Sequence, residues 1–358
     1  MALAFSECRA SQVPAVRAIF AQVYRPDSAL AIDEALFRWQ FGPPPTAPSD
    51  TYHMKLAIAD GEIVGCLGYV PVEFSCGGRI VGGAWTANWV IVPGWRRLGL
   101  GPLLLRDVTR GFAVTLVAGL SPDALAILPR MGWTSLGELI RYIHVLDAPT
   151  VQTLTATGQL AWPAPPPARI GIPRPNSRIQ QVPHFSEAAT QLWDTQGGRS
   201  GMGTRRSAAF LNWRYAQHPV FAYRLFEAHE HGQLRGIAIY RVERVRDVPV
   251  RVGRIVELVG EEGPVGCLLQ AIAADAQAQG VALLDFFCTS ARFARVLAQE
   301  GFLSSDDAAT AQIPLLFQPI DRMRKAIPCM AYLGNLPGPL EVQDWYVTKG
   351  DGDQDRPA

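Results

Sequence analysis

The chain has 358 residues, enough for two domains at the usual ~150 residues each. With 48% hydrophobic and 18% charged residues it reads as a folded globular chain and excludes wholesale disorder. Its 33 Lys and Arg offset 32 Asp and Glu to a net charge of +1, so no global field invites a nucleic-acid backbone or an anionic membrane.

In chain order, residues 10–24 carry apolar side chains at helical spacing. Residues 53–59 read as a strand, Asp60-Gly61 as a hairpin turn and residues 63–74 as the next strand. Gly77-Gly78 makes a second turn before a long strand over 80–92. A helix over 102–112, a strand buried on both faces over 114–120 and a helix over 122–131 follow. Ser121-Pro122 supplies that last helix with a hydroxyl cap and a first-turn proline, and Gly132 stops it. The class is α/β in the α+β sense, a mixed sheet covered by helices.

The plan then repeats. Leu36-Phe37-Arg38-Trp39-Gln40-Phe41, with Pro44 following, returns as Phe210-Leu211-Asn212-Trp213-Arg214-Tyr215 with Pro219. Gly61-x-Ile63-x-Gly65 and Tyr69 return as Gly232-x-Leu234-x-Gly236 and Tyr240, and Leu128, Gly132 and Trp133 as Leu297, Gly301 and Phe302. The offset drifts from 174 to 171 to 169 in one direction, the pattern of a tandem duplication. Between the copies, residues 148–183 carry Pro163, Pro165, Pro166, Pro167, Pro173 and Pro175 and few periodic apolar positions, which predicts a stiff extended connector. The chain therefore divides into a first domain over 1–147, the connector over 148–183, a second domain over 184–350 and an acidic tail over 351–358, mobile unless tied down.

The chemistry concentrates in Ala87-Asn88-Trp89-Val90-Ile91-Val92-Pro93-Gly94-Trp95-Arg96-Arg97-Leu98-Gly99-Leu100-Gly101-Pro102. A strand ends, a short loop carries Arg96-x-x-Gly99-x-Gly101, and an apolar helix begins. Unpaired N–H groups and the positive end of the helix dipole suit phosphate there, glycines let the backbone approach, and arginine adds a charged contact. This segment resembles motif A of the GCN5-related N-acetyltransferase (GNAT) superfamily, and the order of elements matches that fold. The resemblance implies that Val90, Ile91 and Val92 line the pantetheine arm and acyl group. It implies that Arg96, Arg97, Leu98, Gly99, Leu100, Gly101 and Pro102 cradle the pyrophosphate of an acyl-CoA co-substrate, acetyl-CoA or another short acyl-CoA. Ser121, Ala124, Ile127, Leu128, Gly132 and Trp133 fall on the second motif, with Ser121 placed beside the cofactor. Two positions depart from that motif: Ser121 replaces Asn, and Leu128 stands where a tyrosine often protonates the leaving thiolate.

The second copy runs Glu261-Glu262-Gly263-Pro264 at the equivalent place, and two carboxylates there repel a pyrophosphate. Two tandem GNAT-like domains are expected, the second degenerate and kept for substrate binding or packing. The whole resembles the two-domain sugar N-acyltransferases of bacterial surface-polysaccharide pathways. That implies transfer of an acyl group to the amine of a small, nucleotide-linked amino sugar. Acylation of a peptide or protein amine, and a catalytically silent acyl-CoA-binding protein, remain as alternatives.

An amine near pKa 10.4 stands ~3.4 units from neutrality at pH 7, a handicap of ~4.6 kcal/mol, and a carboxylate base usually helps. The strand over 80–92 holds no Asp or Glu. An amino sugar is a weaker base and needs less help, which favours direct attack. Asn88 and Thr86 share one strand face and are placed to orient the amine. Glu73 and His144 are the candidate bases on adjoining strands, and Trp85, Trp213, Arg214 and Tyr215 join Thr86 as substrate contacts.

Arg241, Arg244, Arg246, Arg251 and Arg254 either face the interdomain cleft and a diphosphate or protect a solvated edge. His229-Glu230-His231 sits at a predicted hairpin tip, and Asp351, Asp353 and Asp355 lack the rest of a calcium loop, so no metal is expected. Nor do the six cysteines form a C-x-x-C pair. No apolar run nears the ~20 residues of a membrane span, and the amino terminus lacks the features of a secretory signal, which makes a cytoplasmic location the expectation.

Overall fold

The computed structural model describes residues 2–43, 49–163, 176–196, 201–318, 320–321, 326–334, 336 and 344–357. Most prolines of the predicted connector, from Pro165 to Pro175, lie outside them. The chain opens with β1 (Leu3–Arg9), α1 (Val13–Val23), α2 (Ala29–Ile32), α3 (Glu34–Phe41), β2 (Thr51–Ala59), β3 (Glu62–Cys76) and β4 (Arg79–Ile91). Then come α4 (Leu100–Thr109), β5 (Val114–Ala118), α5 (Pro122–Ile127), β6 (Thr134–Glu138), β7 (Ile140–Val145) and α6 (Ala148–Gln152). The stretch expected to be an extended connector is not so at its ends: α6 begins it, and β8 (Arg178–Val182) near its close pairs into the second sheet, followed by α7 (Ala188–Gln196), β9 (Met202–Thr204), α8 (Ala208–Leu211), β10 (Arg224–Glu230), β11 (Gln233–Arg244) and β12 (Arg251–Gly260). The second copy continues with α9 (Glu262–Ala278), β13 (Val281–Cys288), α10 (Ala294–Gln299), β14 (Leu303–Ser304), β15 (Leu316–Phe317), β16 (Ile320–Asp321) and β17 (Pro328–Tyr332). The predicted helix over 122–131 is α5 followed by a 3₁₀ turn from Leu128 to Met131, because Pro129 has no N–H to continue the α ladder.

The strands form two large mixed sheets whose orders correspond one for one. The first runs β1-β2-β3-β4-β5-β17-β6, with β9 added on the far end of β3. The second, in the same sense, runs β8-β10-β11-β12-β13-β7-β14. The copies have exchanged one strand each. β7, on the first side of the division at residue 147, pairs antiparallel with β13 in the second sheet, while β17 from the far end of the chain pairs with β5 in the first. The repeated segments meet face to face. Trp39 and Trp213, equivalent in the repeat, stack with ring centroids 4.9 Å apart, and Trp39 Nε1 donates to the Trp213 carbonyl at 3.1 Å. The exchange and the stacked pair join the halves through backbone ladders as well as side chains.

The acidic tail is not loose. Thr348, Lys349, Asp351 and Asp355 are all buried. Arg206, itself wholly buried, bridges Glu257 at 2.9 Å and Asp351 at 2.7 Å. Arg241 and the Tyr223 hydroxyl both hold Asp355 at 2.6 Å. Carboxylates that read as solvated in the sequence are counter-ions to buried arginines, and that pairing fixes the segment between the sheets.

Candidate active site

β4 and β5 are parallel and pair only from Gly83↔Val114 to Trp85↔Leu116. Beyond that point β4 stays on β3 while β5 stays on β17, so a wedge-shaped gap opens between them. Thr86 Oγ1 spans the start of the gap with a 3.2 Å bond to the Leu116 carbonyl. The β3–β4 register slips from Gly68↔Ala87 to Cys66↔Val90, so Asn88 and Trp89 form a bulge. Asn88 sits there at φ 55°, a left-handed conformation that asparagine tolerates better than most residues. The Val92 N–H is spent on the Val64 carbonyl at 3.0 Å. Alternation along the strand therefore turns the polar groups of Ile91 toward the gap, where Arg96 Nε donates to the Ile91 carbonyl at 3.1 Å.

Past β4, residues Pro93–Leu98 make a 3₁₀ turn, Gly99 adopts φ 72°, and α4 begins. A Cβ at Gly99 would meet nothing within 4 Å, whereas one at Gly101 would lie 2.9 Å from the Trp89 ring. The first glycine is needed for its backbone conformation and the open space above it, the second for packing. Arg96 and Arg97 are exposed on the turn. Pro102 has no N–H to offer, so Leu100, Gly101 and Leu103 present the free donors of the first turn. An open glycine cradle, amides and two arginines fit a pyrophosphate.

On the acceptor side lies a cavity of about 430 Å³ whose wall includes Tyr24, Ser28, Gln40, Asn88, Lys349 and Gln354. Ser28 Oγ, Gln40 Nε2 and Asn88 Oδ1 are buried there without a hydrogen-bond partner. Unmet polar atoms of this kind cost ~1–3 kcal/mol each in an apolar setting, so three on one cavity mark a place for a polar ligand. Burial of its hydroxyl pushes Tyr24 up to about 12, which keeps its proton on at neutral pH. The tail supplies one wall. Gln354 Nε2 donates to the Ala118 carbonyl at 3.0 Å, on the side of β5 that the gap leaves open, and Gly352 packs against the Trp85 ring.

The two sheets, the wedge and the loop can be compared with solved structures. The GCN5-related N-acetyltransferase of Anabaena variabilis superposes with a TM-score of 0.57 at 13% identity, covering 93% of this chain and 73% of that one. The chain has the GNAT fold. A second GCN5-related N-acetyltransferase, from Kribbella flavida, gives 0.53 at 16% identity over 92% of this chain and 70% of that one. Saccharomyces cerevisiae N-myristoyltransferase with bound myristoyl-CoA gives 0.54 at 10% identity over 92% and 82%. No protein-family model matches the sequence, and no curated protein does.

Within this GNAT fold several residues singled out in the sequence lie elsewhere. Glu73 pairs with Gly82, before the wedge opens, and its carboxylate is taken by Arg205 at 3.0 Å, which also binds Asp194. His144 rides on β7 into the second sheet, where it packs on Phe302 and burial lowers its pKa. Neither is available as a base at Asn88. Trp85 is buried and donates to Thr204 Oγ1 at 2.9 Å, so it is core rather than a substrate contact. Val90 also points into the core, which leaves only its backbone near the gap. The Ser121 hydroxyl is spent as the cap of α5, accepting from the Ala124 N–H at 3.3 Å.

Arg214 and Tyr215 hold the tail instead of lining the cavity, and Trp213 stacks on Trp39. Arg214 Nε donates to the Gly350 carbonyl at 2.8 Å and its guanidinium lies over the Trp39 ring, while Tyr215 is buried beneath Gly350. Of the arginine cluster, Arg241 and Arg254 do face the cavity, but Asp355, Glu243 and Asp285 neutralise them. Tyr24, Ser28, Gln40, Lys349 and Gln354 went unnoticed in the sequence. Only Gln40 left a trace there, standing in the repeat where the second copy has Arg214.

The second half closes its own wedge. β12 pairs with β13 as far as Ile255↔Phe286, and the tail fills the space beyond: Thr348 bridges to Cys288, and the Tyr346 hydroxyl donates to the Leu258 carbonyl at 2.6 Å. β12 runs into α9 with no glycine loop between them, and Glu262 at the helix start is held by Arg295.

Proposed function

We propose that the chain is an acyl-CoA-dependent N-acyltransferase with one acyl-CoA site, in the first copy, and a small polar amine as acceptor. The convergence on the end of β4 of three features carries this reading: the wedge, the glycine cradle, and a cavity with unmet polar atoms. The acyl-CoA pyrophosphate would rest on the amides of Gly99 to Leu103 with Arg96 and Arg97, and its thioester would enter the wedge. Asn88 Oδ1 accepts an N–H of the incoming amine and orients its lone pair. The amine nitrogen bonds to the thioester carbonyl carbon, and the Ile91 N–H stands on the side where the oxyanion develops. The C–S bond then breaks, the leaving CoA sulfur takes a proton from a phenol on the wall, and the proton that the nitrogen gives up returns to that phenolate, so that amide and thiol form with no net change in the protein. Tyr24 is the tyrosine on the described cavity wall and keeps its proton at neutral pH, so it is the donor we assign in place of the motif tyrosine replaced by Leu128.

Among the described residues, the carboxylates on the cavity wall are Glu243 and Asp355, and both are held by arginines. That suits an acceptor of low basicity, and a nucleotide-linked amino sugar meets the requirement. A peptide amine is the second reading, favoured by the likeness to the yeast N-myristoyltransferase. Thiol release from acetyl-CoA, followed with a thiol reagent against amino sugars, nucleotide-linked amino sugars and short peptides, tests the assignment. Turnover with sugars alone supports the first reading and turnover with peptides alone the second. Tight CoA binding with no turnover on any amine overturns both.

A further inference from the structure

Among the described residues the cavity wall carries four arginines and one lysine. Each arginine has a carboxylate partner: Arg25 has Asp27 at 3.3 Å, Arg241 has Asp355 at 2.6 Å, Arg254 has Glu243 at 2.9 Å, and Arg356 has Asp353 at 2.8 Å. Behind them Arg141 shares Asp285 with Arg254. In the buried network Arg141, Arg241 and Arg254 are thus matched by Asp285, Glu243 and Asp355, three charges of each sign. Lys349 is the surplus cation. It is 3% exposed, and among the described residues its ammonium lies over the Phe287 ring at 4.9 Å with no carboxylate in ion-pair range. A buried cation without a counter-ion is expensive, and it loses that expense when an anion arrives.

The neighbouring unmet atoms specify the rest of the ligand. Gln40 Nε2 is a donor looking for an acceptor, as Lys349 is, while Asn88 Oδ1 is an acceptor looking for an N–H. One cavity therefore asks for an amine and an anion in the same small molecule.

We propose that Lys349 binds an anionic group of the acceptor, with Gln40 as its neutral second donor, so that the substrate is a small amine that also bears a carboxylate or a phosphate. This rests on the acyl-transfer reading above. Two sources of the charge share this chemistry, a carboxylate and a phosphate ester on a weakly basic amine, and the assay separates them.

The groups facing Lys349 set the pH behaviour. Burial first and then Arg254 on β12 lower its pKa, Asp285 on β13, Asp355 in the tail and Glu243 on β11 oppose them, and the balance brings it down to about 7. A bound anion adds to the opposing side, so the free amine takes up a proton on binding above pH 7. Affinity for the anion is greatest where Lys349 is already charged and falls as pH rises past its pKa in the complex.

The test uses matched pairs of weakly basic amines on the full chain: muramic acid against glucosamine for the carboxylate, and glucosamine 6-phosphate against glucosamine for the phosphate. The kcat/KM for each is read by thiol release, and binding to the protein is read by calorimetry at pH 6.0 and 8.5. The wild type should prefer the anionic member of one pair, bind it more tightly at pH 6.0, and take up a proton at pH 8.5. K349M should lower kcat/KM for that member by ~10–100-fold, the worth of a charged hydrogen bond, and so collapse the ratio within the pair. K349R, charged at every pH used, should retain the ratio and lose the fall in binding at pH 8.5. No preference within either pair, or an unchanged ratio in K349M, overturns the proposal while leaving acyl transfer intact. If no amine turns over, the acyl-transfer reading fails, and the calorimetric comparison of wild type with K349M still decides whether Lys349 binds the anion.

Discussion

Gly99 separates what the fold needs from what the ligand needs. Its φ of 72° penalises any side chain by about 1 kcal/mol, yet a Cβ there meets nothing within 4 Å. Gly99→Ala should therefore fold with a modest loss of stability. Gly99→Glu carries the same backbone penalty and also places a carboxylate over the amides assigned to the pyrophosphate. Two like charges 4 Å apart repel by ~1 kcal/mol in water and ~4 kcal/mol at the effective dielectric of a protein surface. CoA affinity should then fall from ~5-fold to nearly 10³-fold, more steeply at low salt. Calorimetric titration with CoA, beside thermal unfolding of each variant, reads both quantities. Gly101→Ala is the contrast: its Cβ would press on the Trp89 ring at 2.9 Å, so it should lose stability as well as affinity. A folded Gly99→Glu protein that binds CoA as tightly as the wild type refutes the assignment of the loop.

Three further outcomes follow from the geometry. Asn88→Gly preserves the φ of 55° and removes only the side chain, so kcat should drop ~10–100-fold with little change in the KM for acyl-CoA. Calorimetry should give one CoA per chain, and changing Glu261 and Glu262 to Ala should leave the affinity unaltered, because the tail fills the second wedge whether or not those carboxylates are present. Burial by itself would raise the Asp355 carboxyl, but Arg241 holds it well below the usual carboxylate range. The unfolded chain binds that proton near pH ~3.9 while the folded one resists it, so this contribution is complete above pH ~4 and fades as the pH falls further. Asp355→Asn should cost about 3 kcal/mol at neutral pH and flatten the acid limb of a Tm-versus-pH curve.

Much of the plan was legible because it is written locally. A strand ending in Pro93, a glycine obliged to take positive φ, and a helix start with free amides are consequences of neighbouring residues, so Arg96-x-x-Gly99-x-Gly101 announced the loop. The duplication was legible because both copies keep the same anchors, Trp39 and Trp213 above all. The sequence could not show that these two tryptophans stack on each other, since contact between residues 174 apart depends on how the halves dock. Nor could it place β7 in the second sheet, which carried His144 away from the site: a strand pairs with whichever edge is open, and its own residues do not name that edge. The place of the tail is hidden from the sequence for the same reason. Asp351 and Asp355 look solvated in a polar, glycine-rich sequence, and only the tertiary structure supplies the buried Arg206 and Arg241 that they neutralise. With the tail in place, Lys349 and Gln354 reach the wedge opened by β4 and β5, so the acceptor cavity exists only once both ends of the chain have met.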